Sequence, residues 1–201
     1  MKNRVLLITG GARRIGADMA RHFHRAGFNI ALHYRSSEQA AEQLASELNN
    51  DREDSVICLK ANLADPAAPQ ALIRNTLDYF GRLDVLVNNA SSFYPTPVGD
   101  IIPSEWDDLF SSNARAPLFL CQAARTALQR SGGCIINIID IHADKPLAQH
   151  TVYCMAKAAL RMMTLSLARE LAPDIRVNGI APGAILWPEQ EQDEAQQQAI
   201  L

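Results

Sequence analysis

Near the start of the chain stands the sequence Val5-Leu6-Leu7-Ile8-Thr9-Gly10-Gly11-Ala12-Arg13-Arg14-Ile15-Gly16. Its apolar run predicts a buried strand, and the glycine-rich turn that follows leads directly into a helical pattern. Small residues in such a turn let the backbone approach a pyrophosphate closely, and the first amides of the helix face the anion. The stretch therefore favours a dinucleotide-binding strand–turn–helix unit over an ordinary tight turn.

Short apolar strands and longer helical patterns alternate along the rest of the chain. Strands are predicted near 4–9, 29–34, 55–60, 84–88, 133–139 and 175–180, and helices near 14–26, 38–49, 67–80, 104–130 and 151–171. Strands separated by helices are typical of a parallel sheet that is covered on both faces. We therefore expect one α/β domain over residues 1–201, a doubly wound parallel sheet of the Rossmann type in three layers.

Composition and charge exclude several classes of function. The chain has 19 Lys and Arg against 22 Asp and Glu, a net charge of −3, so its field does not attract nucleic acid or an anionic membrane. The N-terminal apolar run is too short for a signal peptide or a membrane span. We expect a cytoplasmic protein that binds neither nucleic acid nor membranes.

The cysteines are widely spaced, and none belongs to a C-x-x-C or zinc-ligand pattern. They are Cys58, Cys121, Cys134 and Cys154. We expect four buried, reduced thiols and no metal site. Cys154 lies beside Tyr153, but its apolar neighbours give it no reason to act as a nucleophile.

The end of the second predicted strand, His33-Tyr34-Arg35-Ser36-Ser37, bears on the choice of cofactor. An acidic residue here normally binds the ribose hydroxyls of NAD. This segment has no carboxylate, whereas Arg35, the two serine hydroxyls and nearby Arg13 suit a 2′-phosphate. NADPH is therefore favoured over NADH; the alternative is that the serines only cap the next helix.

Tyr153 and Lys157 are four residues apart and lie on the same face of a predicted helix. A tyrosine with an ordinary pKa of about 10 is a poor acid or base near neutrality unless a nearby ammonium stabilises the phenolate. Lys157 is placed to do this. Taken alone, such a pair is usually an ordinary feature of a helix surface.

Several motifs together resemble the short-chain dehydrogenase/reductase family over nearly the whole chain. They are Thr9-Gly10 through Gly16, Asn88-Asn89-Ala90, Asn113, Tyr153-x-x-x-Lys157 and Pro182-Gly183. In that family the tyrosine is the general acid, the lysine binds the nicotinamide ribose and lowers the tyrosine pKa, and the asparagine holds a water of the proton relay. The resemblance implies these roles for Tyr153, Lys157 and Asn113.

Two departures from the common family pattern narrow the resemblance to pteridine reductases. Asp140 replaces the usual serine thirteen residues before the tyrosine, and Arg14 replaces the middle glycine of the phosphate turn. Both changes occur in pteridine reductases, and the segment from Asn88 to Pro97 is similar to theirs. Asp140 completes the expected catalytic set with Tyr153, Lys157 and Asn113; His142 and His150 are left out because neither falls on a motif position.

Binding and reduction of a pterin ring would account for the residues that depart from the common family pattern and for their neighbours. Phe93 would stack on the flat ring, Arg14 and Ser91 would contact its polar edge, and Asp140 with Tyr153 would form a carboxylate–phenol relay that protonates a ring nitrogen. Each residue also has an ordinary explanation, since Phe93 could be core and Asp140 could cap the following loop.

The resemblance also implies a cofactor site formed by the phosphate turn and the segments that follow the later strands. Its members are Gly10, Arg13, Arg14, Ile15, Gly16, His33, Tyr34, Arg35, Ser36, Ser37, Asn62, Leu63, Asn89, Ala90, Tyr153, Lys157, Pro182 and Gly183.

The predicted function is therefore NADPH-dependent reduction of a dihydropterin. The alternatives are a carbonyl reductase for a 3-oxoacyl or similar substrate, which Asp140 disfavours because a carboxylate repels a developing oxyanion, and a non-catalytic NADP-binding regulator.

Two expectations concern larger parts of the chain. The segments near 104–130 and 151–171 match the helices through which family members pair, so we expect a homotetramer. We expect residues 184–201 to be a substrate lid, or its start, or a solvated end, and we expect the last helix and strand that are usual in the family to be absent.

Overall fold

The computed structural model describes residues 3–183. Its six strands are β1 (Val5–Ile8), β2 (Asn29–Tyr34), β3 (Val56–Lys60), β4 (Val85–Asn88), β5 (Cys134–Ile138) and β6 (Arg176–Ile180). Its α-helices are α1 (Arg14–Arg25), α2 (Glu38–Asp51), α3 (Ala68–Phe80), α4 (Pro103–Phe110), α5 (Ala116–Ser131) and α6 (Thr151–Glu170). The possible lid at 184–201 lies outside the described residues.

The strands form one parallel sheet in the order β3-β2-β1-β4-β5-β6. The chain adds β2 and β3 on one side of β1 and then returns to add β4 on the other side of β1. Because the strand order reverses there, a crevice opens between β1 and β4 at the carboxyl ends of the strands. The expected doubly wound fold is confirmed.

The side chains of β1 point alternately into two hydrophobic cores, one on each face of the sheet. Val5 and Leu7 pack with α3 and α5 on one face, whereas Leu6 and Ile8 pack with α1 and α2 on the other. All four side chains are buried, because both faces of the central strand are covered by helices. Burial on both faces makes β1 a rigid support for the glycine turn that follows it.

The predicted helix near 104–130 contains an interruption. A π-helical turn, Ser111–Arg115, separates α4 from α5. Polar side chains explain it, because the Asn113 amide donates to the carbonyl of Leu109 and the Ser112 hydroxyl to the carbonyl of Asp108, competing with the regular backbone bonds.

All four cysteines are free thiols, but the prediction that all are buried is wrong for two of them. Cys121 and Cys154 are buried, whereas Cys58 and Cys134 are partly exposed. The two partly exposed cysteines lie at the periphery of the hydrophobic core that the sheet forms with α1 and α2. Within residues 3–183, no helix is long and apolar enough to cross a membrane.

Candidate active site

A cleft of about 530 Å³ lies at the carboxyl ends of the strands. Every residue predicted for the cofactor and substrate sites lines it. Of the predicted catalytic residues, Asp140, Tyr153 and Lys157 line it as well, and Asn113 lies behind its wall. The topology brings these residues together because parallel strands end at the same edge of the sheet.

The glycine turn is packed too closely for larger residues. A Cβ atom at Gly16 would lie 2.3 Å from the carbonyl oxygen of Gly10. The Asn89 side chain holds this arrangement by donating to the carbonyls of Thr9 and Gly10, each at 2.9 Å. The turn therefore exposes backbone at the start of α1, as a pyrophosphate site requires.

Arg14, the residue that replaces a family glycine, has a left-handed backbone with φ +50°. This conformation costs an ordinary residue about 1 kcal/mol. Its side chain lines the cleft, so the strained position places a guanidinium where a glycine would leave open space.

His33 supports the turn from behind. Its Nδ1 accepts a hydrogen bond from the Gly10 amide at 3.1 Å, so its Nε2 carries the hydrogen and donates to the carbonyl of Ala61 at 3.1 Å. Burial lowers the pKa of His33 to about 4, which keeps the ring neutral. Both ring nitrogens are occupied by protein, so this predicted cofactor residue acts from beneath the site.

The end of β2 leaves polar groups available at the far end of the cleft. Ser37 is the N-cap residue of α2 but makes no capping bond with its side chain, so the alternative of a purely capping role is wrong for this serine. Arg35 lies 3.6 Å from the Asp108 carboxylate of α4. Tyr34 points back to the protein and donates to Glu38 at 3.1 Å.

Asp140 connects two elements at the other end of the cleft. Its Oδ1 accepts from the backbone amide of His142 at 2.9 Å and its Oδ2 accepts from the Tyr153 hydroxyl at 2.6 Å. Asp140 thus caps the short 3-10 helix Ile141–Ala143 and also contacts the phenol; its role in a proton relay stays a prediction.

The environment of Tyr153 corrects an expectation. Burial and the hydrogen bond to Asp140 raise the pKa of Tyr153, whereas the resemblance implied a lowered value through Lys157. The Lys157 ammonium instead donates to the carbonyl of Ile138 at 3.0 Å and lies 5.7 Å from the centre of the tyrosine ring. Tyr153 is therefore a neutral phenol in this state.

Lys157 is itself unusual because its side chain is buried within the cleft wall. Burial lowers the pKa of Lys157 to about 8, and the Asp140 carboxylate opposes this effect. An ammonium in this position keeps its proton near neutrality and loses it under mildly alkaline conditions.

Asn113 organises the loop that carries the predicted substrate residues. Its amide donates to the carbonyl of Ser92 at 2.9 Å, and its carbonyl accepts from the Ser91 hydroxyl at 2.7 Å. The π-helical turn directs this side chain towards the loop. Asn113 therefore links α4 and α5 to the cleft wall.

Phe93 stands at the mouth of the cleft with 54% of its surface exposed. It stacks on His150 with ring centres 4.7 Å apart and meets Tyr153 edge-on at 4.8 Å. An exposed, buttressed aromatic ring is better suited to a ligand than to the core.

Sequence reasoning missed other residues of the cleft and its support. His142, Leu147 and Asp108 line the cleft, and His150 supports Phe93 from outside it. None stands on a family motif, so only the order of neighbouring elements could have revealed them.

The chain matches the family model described as short chain dehydrogenase over residues 4–198. Pteridine reductase 1 of Leishmania tarentolae is 39% identical in an alignment that covers 92% of this chain and 78% of the relative. The 3-oxoacyl-(acyl-carrier-protein) reductase FabG of Staphylococcus aureus is 34% identical over 183 residues, covering 90% of this chain and 74% of the relative.

A solved structure is similar over the same extent. FolM alternative dihydrofolate reductase 1 from Brucella suis, in complex with NADP, superposes with a TM-score of 0.86 at 35% identity, covering 92% of this chain and 77% of the other. The chain therefore belongs to the short-chain dehydrogenase family and is an oxidoreductase.

Proposed function

We propose that the protein reduces a dihydropterin or dihydrofolate to its tetrahydro form with NADPH. The hydrogen bond between Asp140 and Tyr153, beside the exposed ring of Phe93, is the observation that carries the proposal. The similarity to pteridine reductase 1 and to an alternative dihydrofolate reductase supports it.

NADPH supplies the hydride when it is bound, and the residues present fit this cofactor. The close approach at Gly16 leaves backbone amides for the pyrophosphate, and Lys157, which lines the cleft, would hold the nicotinamide ribose. Arg35, Arg13 and the serines after β2 would hold the 2′-phosphate. We therefore expect NADPH to bind at least ~10-fold more tightly than NADH.

The proposed relay depends on the hydrogen bond in which the Tyr153 hydroxyl donates to Asp140 Oδ2 at 2.6 Å. A phenol with a raised pKa does not readily give up its proton alone. If Asp140 first takes up a proton from water in the cleft, it can pass that proton to the Tyr153 oxygen while the phenol protonates a ring nitrogen, so the phenolate never has to exist by itself. The structure then corresponds to the relay after the proton has left, with a carboxylate accepting from a phenol.

The substrate ring would lie against the exposed part of Phe93, 54% of whose surface is accessible. His150 covers one face of the Phe93 ring, and the Tyr153 ring lies 4.8 Å away and nearly perpendicular to it, so a flat heterocycle stacked on the exposed part of Phe93 would lie beside the proton donor. Offset stacking contributes about 0.5–1.5 kcal/mol beyond burial. Ser91 and Arg14 would contact the polar edge of the ring.

The test is NADPH oxidation with dihydrobiopterin and dihydrofolate, and with a 3-oxoacyl thioester as the competing substrate. Tyr153→Phe should abolish most turnover and leave NADPH binding nearly intact. Asp140→Ser should lower kcat for the dihydropterin by roughly 10²-fold, the loss expected for a general-acid partner. Its unchanged affinity for NADPH is the control for folding.

A carbonyl reductase is the second candidate, favoured by the similarity to the 3-oxoacyl reductase. Good turnover of the thioester together with none of the dihydropterins would establish that candidate and reject ours. Unchanged dihydropterin turnover in Asp140→Ser would reject the relay. Binding of NADPH without turnover of any substrate would favour a regulator. A cytoplasmic location remains a prediction from the sequence.

A further inference from the structure

Asp108 is a charged residue of the cleft that the proposed reaction does not use. It lies on α4 with 36% of its side chain exposed. Its Oδ1 is 3.6 Å from a guanidinium nitrogen of Arg35, and its Oδ2 accepts a hydrogen bond from the Tyr94 hydroxyl at 3.2 Å. The tyrosine bond holds one carboxylate oxygen, and the other is left facing the guanidinium.

Arg35 therefore has two candidate anionic partners. It is the cation proposed for the 2′-phosphate of NADPH, and it already lies beside an anion of the protein. The guanidinium of Arg35 carries a single positive charge. If it bound the Asp108 carboxylate and the 2′-phosphate at the same time, the two anions would repel each other. The side chain of Arg35 is 58% exposed, which leaves its guanidinium room to turn from one anion towards the other.

We propose that Asp108 is a specificity-determining residue, which competes with the 2′-phosphate for Arg35 and so limits the preference for NADPH over NADH. The inference rests on the proposed function, because it takes Arg35 as the phosphate ligand. NADH has no 2′-phosphate, so this competition does not change the affinity for NADH.

Titration of the protein with NADPH and with NADH, in the absence of substrate, tests the proposal. Asp108→Asn keeps an oxygen that can accept from Tyr94 and removes the charge. We expect this variant to bind NADPH about five-fold more tightly, the change that corresponds to ~1 kcal/mol, and to bind NADH as the wild type does. The gain should shrink at high salt, which screens exposed charges.

Asp107→Asn is the matched control. Asp107 is the neighbouring residue of α4 and is exposed, so its loss changes the net charge equally without changing the partner of Arg35. We expect it to leave both affinities unaltered. If Asp107→Asn strengthens NADPH binding as much as Asp108→Asn does, the effect is one of overall charge and the proposal is wrong.

An Arg35→Ala background separates competition for the arginine from direct repulsion of the phosphate. There, Asp108→Asn should no longer strengthen NADPH binding. A gain that persists without Arg35 would overturn the proposal. A wild-type protein that binds NADH as tightly as NADPH would reject the proposed cofactor itself, whereas a clear NADPH preference that Asp108→Asn leaves unchanged would reject only the role of Asp108.

Discussion

Phe93 and His150 form a stacked pair at the entrance of the cleft, in which the histidine covers one face of the phenyl ring. The Nδ1 atom of His150 lies 2.8 Å from the carbonyl of Ala148, which fixes the imidazole. His150 therefore positions the platform on which the substrate ring is proposed to stack.

We expect Phe93→Ala to raise KM for the dihydropterin with little change in kcat, because stacking holds the substrate but transfers no proton. A loss of about 1 kcal/mol corresponds to a roughly five-fold higher KM. His150→Ala should produce a smaller increase in the same direction. Steady-state kinetics measures both, and a fall in kcat with constant KM would assign these rings to the chemical step instead.

We expect Lys157 to make the activity depend on pH. Its pKa of about 8 is lowered from the ordinary value of 10.5, so the ammonium loses its proton as pH rises through about 8. We expect kcat/KM for NADPH-dependent reduction to fall above this pH, approaching about ten-fold per pH unit, because the proposed cofactor ligand loses its charge. Lys157→Met should have low activity without this alkaline decline; the same decline in both proteins would point to another group.

Among the elements, the turn between β1 and α1 depends on the absence of a side chain at Gly16. Gly16→Ala would place a methyl group 2.3 Å from the Gly10 carbonyl, and relieving that contact displaces the start of α1. We expect the affinity for NADPH to fall at least ~10-fold, measured by titration of the purified variant.

Gly132→Ala provides the control for that substitution. Gly132 also has a constrained backbone, with φ +61°, but an added Cβ would meet nothing within 4 Å. We expect a loss of about 1 kcal/mol in the free energy of unfolding and an unchanged affinity for NADPH. Equal loss of cofactor binding in both variants would mean that general destabilisation, rather than the geometry of the turn, explains the result.

At the level of the whole molecule, apolar side chains on α5 and α6 remain exposed in the single chain. They are Leu118, Phe119, Met155, Met162 and Leu165. Apolar surface on two long helices is typical of an oligomer interface; the homotetramer itself remains a prediction.

We expect light scattering to show a tetramer for the wild type and smaller species for Met162→Glu, because a buried, unpaired carboxylate is costly at an interface. Val98→Glu places the same charge on an exposed residue outside these helices and should leave the tetramer intact. A monomeric wild type would contradict the expectation.

The sequence by itself determined the layered α/β fold, the phosphate turn and the Tyr153–Lys157 pair. These features depend on local patterns, because apolar periodicity selects strands and helices, and residues four apart share a helix face. Where local side chains compete with the helical backbone, as at Ser111–Arg115, the same reasoning missed the π-helical turn.

Only the tertiary structure decided how the site is connected. The raised pKa of Tyr153 depends on burial and on Asp140, and the support of Phe93 by His150 depends on how two loops meet. The ion pair between Arg35 and Asp108 joins segments far apart in the chain. Burial and long-range contacts of this kind depend on which strands, helices and loops become neighbours in the folded protein. Local sequence patterns do not specify those neighbours.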